Sequence, residues 1–369
     1  MKGKMNQNVL CINTYAGSLL LAAKSVKANI VATMEDTGWG SDLQALNFPD
    51  TPRYTKTTDW PEKFKVPWNK IDTIAHPPCA AFSVQNSGNA KLRGVDTDAF
   101  ACHRNVMDYA LGHKCRSLAI ESVLGAYAGG QDVYEEAARK YGYRVNYIML
   151  NSASFSVPQW RPRVWIIFHQ VPKRQPFRVE LKPKYVPLSA ILNPKGMEWP
   201  LGNSNVAKVW AKVSPLITKK WPVGCSIMKA VQDVYSIPSE PNFAGARAKF
   251  GFSGFITSHP KLIDPAGFSP VILFDLFLAD GRRRLTIEEY EEIMGFPRDY
   301  KWGPRIKQFR MYLSKGVVPA VAAWILKTVD RNASGWSGKS TAEEIDFGGV
   351  IDLQPRKTDA LAEARRGAR

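Results

Sequence analysis

Short apolar runs alternate with amphipathic stretches through the first 170 residues of the chain. Runs with the length of buried strands lie at residues 8–12, 29–34, 71–75, 118–120, 144–150 and 164–169. Stretches with helical spacing lie between them at residues 18–26, 99–112 and 132–141. Strands that alternate with helices are typical of an α/β fold with a doubly wound, mostly parallel sheet. We therefore predict this fold for the first part of the chain.

The pattern changes in the second half of the sequence. Residues 171–281 are rich in proline, tryptophan, lysine and glycine and show no long periodic helix, which predicts a second, smaller and irregular basic domain. Helical signals return where Thr286 is placed to cap a helix that ends at Met294, and again at residues 318–329. The end of the chain is polar and weakly patterned, which predicts a loosely held tail. The predicted domains are 1–170, 171–283, a return to the first domain at 284–330, and a polar C-terminal tail at 331–369.

The charge balance points to a polyanionic partner. The sequence has 50 lysine and arginine residues against 33 aspartate and glutamate residues, which gives a net charge of +17. Such an excess attracts nucleic acid through counterion release and long-range steering. Nucleic acid is therefore the predicted partner.

The cysteines and the hydropathy pattern bear on the compartment. Five cysteines, with no C-x-x-C pair among them, indicate reduced intracellular thiols and argue against a disulfide framework or a zinc cluster. The sequence shows no signal-peptide pattern and no apolar run of about 18 residues. We expect a soluble, cytoplasmic protein with no membrane segment and no bound metal.

One cysteine stands out as a candidate nucleophile. Cys79 follows Pro77 and Pro78, directly after the apolar run at residues 71–75. Proline ends a strand, so the thiol is expected at a strand end and outside the core. A lone cysteine is more often a small buried hydrophobe. However, a second strand-like run ends at Glu121, and a thiol and a carboxyl at one sheet edge suggest covalent chemistry on a polarised ring.

The order of further motifs carries a resemblance to a known family. Each is weak alone, but together they run in one order along the chain: Tyr15-Ala16-Gly17, Glu35, Pro78-Cys79, Glu121-Ser122-Val123, Gln159-Trp160-Arg161-Pro162-Arg163, Leu285-Thr286 with Gly295-Phe296-Pro297, and Lys315-Gly316-Val317-Val318-Pro319. In this order they resemble the cytosine-C5 DNA methyltransferase family, over about residues 8 to 330. The resemblance implies a Rossmann-like methyltransferase fold whose second domain, residues 171–283, recognises the DNA target.

The resemblance also implies roles for four catalytic residues. Cys79 would add to C6 of a cytosine, so that C5 becomes nucleophilic enough to take a one-carbon group. Glu121 would hold or protonate N3 as a general acid whose pKa is raised by burial. Arg161 and Arg163 are two residues apart on a strand-like run, so their side chains project from the same face. They would contact the flipped nucleotide and its phosphate. The base must be flipped out of the duplex or lie in a single strand.

The remaining implied residues bind the donor and the DNA. The donor is S-adenosylmethionine, and the residues placed around it are Tyr15, Ala16, Gly17, Ser18, Leu19, Glu35, Asp36, Asp59, Pro78, Lys315, Gly316 and Val317. The DNA contacts are Ser83, Gln85 and Gln159. Residues 84–98 would form a lid over the site, and Gln85 on this lid would fill the space that the flipped base leaves in the base stack. We expect a monomer acting on double-stranded DNA with a flipped cytosine, in a bacterial or phage-infected cell and in a setting of restriction-modification or phage DNA modification.

The donor motifs depart from the family pattern and leave alternatives open. Gly17 is followed by Ser18, Leu19 and Leu20 where the family has further glycines, and Lys315-Gly316 stands in place of Gly-Asn. Leucines in place of glycines would narrow or reshape the donor pocket. The donor could be S-adenosylmethionine in an altered pose, or another one-carbon donor such as methylene-folate or an anionic S-adenosylmethionine derivative that pairs with Lys315. The chain could also be a catalytically silent DNA-binding relative, or a transfer-RNA methyltransferase of the same fold.

Overall fold

The structure is a computed structural model that describes residues 7–36, 38–83, 93–170, 177–193, 266–269, 285–335 and 350–367, and the backbone of 261–263 and 276–278. Its strands are β1 (Asn8–Ile12), β2 (Asn29–Met34), β3 (Arg53–Tyr54), β4 (Ile71–Ala75), β5 (Ser117–Ser122), β6 (Arg144–Asn151), β7 (Pro162–His169), β8 (Lys261–Ile263), β9 (Leu276–Leu278) and β10 (Val350–Asp352). Its helices are α1 (Ser18–Ser25), α2 (Ser41–Asn47), α3 (Asp98–Gly112), α4 (Gly125–Tyr141), α5 (Ile287–Met294), α6 (Phe309–Lys315), α7 (Pro319–Ala333) and α8 (Lys357–Gly367). None of these described helices is long and apolar enough to cross a membrane.

Within the described residues, eight strands form one sheet in the order β10-β6-β7-β5-β4-β1-β2-β3. All neighbours are parallel except β7, which runs antiparallel to both β5 and β6. The predicted doubly wound, mostly parallel sheet is thus confirmed. The separate pair β8 and β9 is parallel and lies within the predicted second domain.

Helices cover both faces of the sheet, so its central strands are apolar on both sides. Along β1, Val9 and Cys11 pack in one core cluster with side chains of α1 and α7. Leu10 and Ile12 pack in a second cluster with side chains of α3 and α4. Successive side chains of a strand point to opposite faces, which explains why β1 reads as a continuous apolar run.

The helices after the second domain begin where the sequence indicates. The Thr286 side chain accepts a hydrogen bond from the Glu289 backbone N–H, and the Glu289 carboxylate accepts one from the Thr286 backbone N–H. This capping box fixes the start of α5. Pro319 occupies the first turn of α7, where its missing N–H costs no helical hydrogen bond.

The described end of the chain corrects the expectation of a loosely held tail. β10 pairs with β6 at the sheet edge, and Ile351 is buried in the core. Ala360 and Ala364 of α8 are buried in a small cluster with Ala153 and Phe268. Their apolar residues are few and small, which is too weak a pattern to predict an element from the sequence.

The first described residues of the predicted second domain pack on the main sheet. Phe177, Val179 and Leu188 belong to the same core cluster as α1 and α7. The backbone of Arg178 also exchanges two hydrogen bonds with the Asn332 side chain on α7. Residues 177–188 therefore cover the sheet, and the division of the chain at residue 170 stays a prediction.

Candidate active site

The candidate nucleophile and carboxyl lie at one edge of the main sheet. β4 and β5 are adjacent and parallel, so the residues that follow both strands reach the same edge. Cys79 begins a 3₁₀ turn, Cys79–Ala81, directly after Pro77 and Pro78, and its side chain is partly buried. Glu121 lies near the carboxyl end of β5 and is buried.

Glu121 has a basic partner on each carboxylate oxygen. Its Oε1 lies 3.2 Å from Nε of Arg163, and its Oε2 lies 3.0 Å from Nε2 of His76. The Arg163 contact follows from the sheet: Glu121 pairs with Trp165 on antiparallel β7, and Arg163 is the diagonal neighbour on the same face. His76 comes from the loop that follows β4, whose backbone N–H at His76 donates to the Ile12 carbonyl.

These partners reverse the predicted titration of Glu121. Burial raises the pKa of this carboxyl, but His76, Arg163 and Arg161 outweigh burial and lower its pKa to about 2. The expectation that burial would leave Glu121 with a raised pKa was therefore wrong. At neutral pH the side chain is a carboxylate, which accepts hydrogen bonds and donates none.

The Cys79 thiol is poised between opposing charges. Burial and the nearby Glu121 raise the pKa of Cys79, whereas Arg163 and Arg161 lower it without cancelling the increase. The side chain therefore rests as a thiol, and it needs a change in its surroundings to become the nucleophilic thiolate.

The Arg161 side chain is hydrogen-bonded to the backbone at residues 314–316, at the start of the motif Lys315-Gly316-Val317-Val318-Pro319, which we call the closing motif. Its guanidinium donates hydrogen bonds to the carbonyl oxygens of Ser314, at 3.0 Å, and Gly316, at 2.8 Å. The side chain is buried, and burial followed by repulsion from Arg163 lowers its pKa to about 9. Its Nε has no hydrogen-bond partner within the described residues. Arg161 thus holds the turn before α7 in place, and in this structure its side chain does not share the Glu121 contact of Arg163.

Two histidines near the nucleophile were not singled out from the sequence. His76 is buried, and its ring meets the Tyr15 ring edge-on with the centroids 5.3 Å apart. His103 on α3 lies at the Pro78 backbone and contacts the Tyr134 hydroxyl at 3.1 Å; burial lowers its pKa to about 3. The only sequence signal for His76 was its place three residues before Cys79.

On the donor side, Glu35 organises the turn after β1. Its Oε1 accepts hydrogen bonds from the backbone N–H groups of Thr14 and Tyr15 and from the Gln44 side chain, at 2.8, 3.1 and 2.6 Å. Its Oε2 is buried and has no partner within the described residues. Burial raises the pKa of Glu35 well above its ordinary value. The Glu35 carboxyl thus has one oxygen without a partner among the described residues, which fits a ribose hydroxyl.

An aromatic cluster lies between this turn and the closing motif. The Trp39 ring stacks on Tyr312 with the centroids 4.3 Å apart, and Tyr15 meets Trp39 edge-on at 4.9 Å. The Lys315 ammonium lies 4.9 Å from the centre of the Trp39 ring, on an exposed side chain. This contact is a cation–π interaction and does not require an anionic donor.

The turn after β1, at residues 13–17, is connected to the closing motif by a hydrogen bond to Ser18. The Ser18 hydroxyl accepts a hydrogen bond from the Val317 backbone N–H at 3.3 Å. Gly17 has φ +81°, and a Cβ at this position would lie 2.7 Å from the Phe48 ring, so the turn requires glycine. The side chains of Leu19 and Leu20 are fully buried in the core, and their effect on a donor pocket stays a prediction.

The structure describes all but one of the remaining predicted site residues. The Ala16 carbonyl accepts a hydrogen bond from the Tyr300 hydroxyl. Asp36 is partly buried after β2, and Ser83 is partly buried after the nucleophile turn. Asp59 is exposed in a 3₁₀ turn beside Glu35, since the indole N–H of Trp60 donates a hydrogen bond to the Glu35 carbonyl oxygen at 3.2 Å. Gln159 is fully buried, and both atoms of its amide lack a partner among the described residues. Gln85, with most of the predicted lid, lies outside the described residues.

Comparison with known proteins places this site in a family. The sequence profile of C-5 cytosine-specific DNA methylases matches residues 10–331. A curated relative, the Type II methyltransferase M.DdeI of Desulfomicrobium norvegicum, is 26% identical over 170 residues, which are 43% of this chain and 40% of the relative. The chain thus matches less than half the length of that relative.

Solved structures share the fold at low sequence identity. A protein described as a DNA modification methyltransferase encoded within an E. coli prophage has a TM-score of 0.58 and 18% identity, covering 88% of this chain and 98% of that one. A mutant of DNMT2 from Spodoptera frugiperda has a TM-score of 0.53 and 17% identity, covering 88% and 99%. The family profile spans most of the chain and includes Cys79, Glu121 and Arg163. The chain therefore belongs to the C-5 cytosine-specific DNA methylase family.

Proposed function

We propose that this protein is a DNA cytosine-C5 methyltransferase that uses Cys79 as its nucleophile and S-adenosylmethionine as its donor. The observation that carries the proposal is the meeting of three groups at one sheet edge: the Cys79 thiol, the buried Glu121 carboxylate and the Arg163 guanidinium that holds it. Family membership and the net charge of +17 support DNA as the substrate.

The chemistry begins with the thiol. When Cys79 loses its proton, Sγ bonds to C6 of a flipped cytosine, and the ring electrons shift to make C5 nucleophilic and N3 basic. Arg163 and Arg161 stabilise the thiolate, since both lower the pKa of Cys79. After transfer, C5 loses its proton and the C6–S bond breaks, which returns the thiolate.

Glu121 is the group that interacts with N3 of the cytosine as N3 becomes basic. As a carboxylate with a pKa of about 2 it cannot give up a proton until its surroundings change. Binding of a base that carries developing negative charge at N3 favours the protonated carboxyl, because like charges disfavour each other. Glu121 therefore takes its acid form only when the base is in place.

The donor side accepts S-adenosylmethionine at two points. The free Oε2 of Glu35 suits a ribose hydroxyl, and the glycine at position 17 keeps the first turn compact. When bound, S-adenosylmethionine supplies the electrophilic methyl group. This chain's own part is to hold the turn through Glu35 and to link it to the closing motif through Ser18 and Val317.

The decisive experiment measures the modified nucleoside. The purified chain is incubated with S-adenosylmethionine and duplex DNA of mixed sequence, and the digest is analysed by mass spectrometry for 5-methyldeoxycytidine. Cys79→Ser should abolish the product, and Cys115→Ala, which changes a buried cysteine that contacts the Ser117 backbone, should retain it. Product from Cys79→Ser at the wild-type rate would refute the nucleophile.

Parallel incubations separate the alternatives. Methylation of transfer RNA in preference to duplex DNA would refute the DNA substrate. A transferred group with a mass other than that of methyl, obtained with a folate or a carboxylated donor, would refute the donor. DNA binding without any product or C5 hydrogen exchange would identify a binding protein.

A further inference from the structure

Of the two basic partners of Glu121, only one can exchange a proton with it. Arg163 is permanently charged at any accessible pH and therefore acts as a fixed positive charge. An imidazole such as that of His76 can both donate and accept a proton through its ring nitrogens. Its Nε2 lies 3.0 Å from Oε2 of Glu121, which is close enough for an ion pair, although the angles of this contact are not those of a hydrogen bond. A small rotation of either side chain would align the two groups for proton transfer.

The surrounding structure holds His76 in one orientation. Its backbone N–H continues the pairing of β4 with β1 through the Ile12 carbonyl, and the Tyr15 ring packs against its side chain. The other ring nitrogen, Nδ1, is buried and has no hydrogen-bond partner in the described part of the chain. The Glu121 carboxylate is thus the one described polar group that orients this ring.

The charges that face the pair come from several elements. Arg163 and Arg161 approach from β7 and the residue before it, and Cys79 lies in the same loop as His76. His103 approaches from α3, and its lowered pKa keeps it neutral at pH 7. Beside the fixed positive charge of Arg163, His76 and Glu121 are the described acid–base pair that lies within 3.0 Å at this edge.

We propose that His76 is a positioning residue for Glu121, and that the two side chains share the proton that N3 of cytosine receives when Cys79 adds to C6. This inference rests on the proposed function. As the Sγ–C6 bond forms, the C5=C6 electrons move to form C4=C5, and the C4=N3 electrons become a bond from N3 to a proton. That proton passes from His76 Nε2 to the Glu121 carboxylate and from Glu121 to N3, so that Glu121 remains a carboxylate and His76 carries one proton fewer. When the C6–S bond breaks, N3 returns the proton to Glu121 and Glu121 returns it to His76.

Two substitutions separate orientation from proton exchange. His76→Gln keeps an N–H donor near the position of Nε2 but carries no transferable proton. His76→Leu removes both properties. His113→Gln is the matched control, because His113 lies at the end of α3 and stacks on Trp68, away from Glu121.

The readout is the exchange of C5 tritium from duplex DNA into water without any donor, measured from pH 5.5 to 9. General acid–base catalysis is typically worth about 10²–10⁴-fold, so we expect His76→Gln to slow exchange by about 100-fold. The wild-type rate should fall at high pH, where the pair loses its mobile proton, and His76→Gln should lack this descending limb. DNA affinity and His113→Gln should be unchanged. Two results would overturn the inference: a wild-type rate and pH profile in His76→Gln, or equal losses in both His76 variants with the descending limb retained.

A measurement without substrate keeps the two hypotheses apart. Nitrogen-15 NMR of histidine-labelled protein should show that the ring signals of His76 change position when Glu121 is replaced by glutamine, while those of His113 do not. If this coupling is present but the wild-type chain shows neither exchange nor methylation, the proposed function fails and the His76–Glu121 pairing stands. If the chain methylates DNA but the coupling is absent, the inference about His76 fails alone.

Discussion

Replacing Glu121 by glutamine tests the electrostatics of the site through protein stability. The pKa of Glu121 falls from an ordinary 4.5 to about 2 in the folded chain. Since one pKa unit corresponds to about 1.4 kcal/mol, ionisation of this side chain contributes on the order of 3 kcal/mol to folding at pH 7. The side chain is only 2% exposed, so solvent screening does not reduce this figure substantially.

The pH dependence gives the sharper test. A depressed folded-state pKa means that the contribution is complete above the unfolded-state pKa and is lost as the pH falls towards the folded-state value. The stability difference between wild type and Glu121→Gln should therefore decline from about 3 kcal/mol at pH 7 to about 1 kcal/mol at pH 3. Urea denaturation at each pH measures it.

The control is Glu136→Gln, which changes an exposed carboxylate on α4 and should stay within about 0.5 kcal/mol of wild type. A difference between wild type and Glu121→Gln that is independent of pH, or that grows as the pH falls, would refute the lowered pKa of Glu121.

Three further predictions concern the frame that holds the site. Gly17→Ala should destabilise the chain more than Gly142→Ala, because both have positive φ but only Gly17 would place Cβ against a ring; equal losses in thermal denaturation would contradict the contact. Asp72→Asn should cost about 1.5–3 kcal/mol in urea denaturation, since it removes the buried partner of Arg116 and leaves Asp330 as its remaining carboxylate; a loss below 1 kcal/mol would exclude this role. Thr286→Ala should cost about 1 kcal/mol, and Thr286→Ser, which keeps the capping hydroxyl, should restore most of it.

The sequence was sufficient for the parts of the fold that depend on local patterns. The runs at residues 8–12, 29–34 and 71–75 correspond to β1, β2 and β4 residue for residue. Buried strands must be apolar throughout and helices must repeat every 3.6 residues, so both are visible in a short window. The prolines before Cys79 likewise fixed the end of β4, and the order of motifs identified the family.

Only the tertiary structure decided the protonation state of Glu121, the contacts of Arg161 and the place of His76. Burial alone would raise the pKa of Glu121, but its partners come from the loop after β4 and from β7, some 40 residues away on either side. The C-terminal strand β10 also joins the sheet through only a few residues. The sequence determines which residues form each strand, because that choice is local. The charges that meet at the sheet edge depend on the order of the strands in space, and the lowered pKa of Glu121 is a consequence of that order.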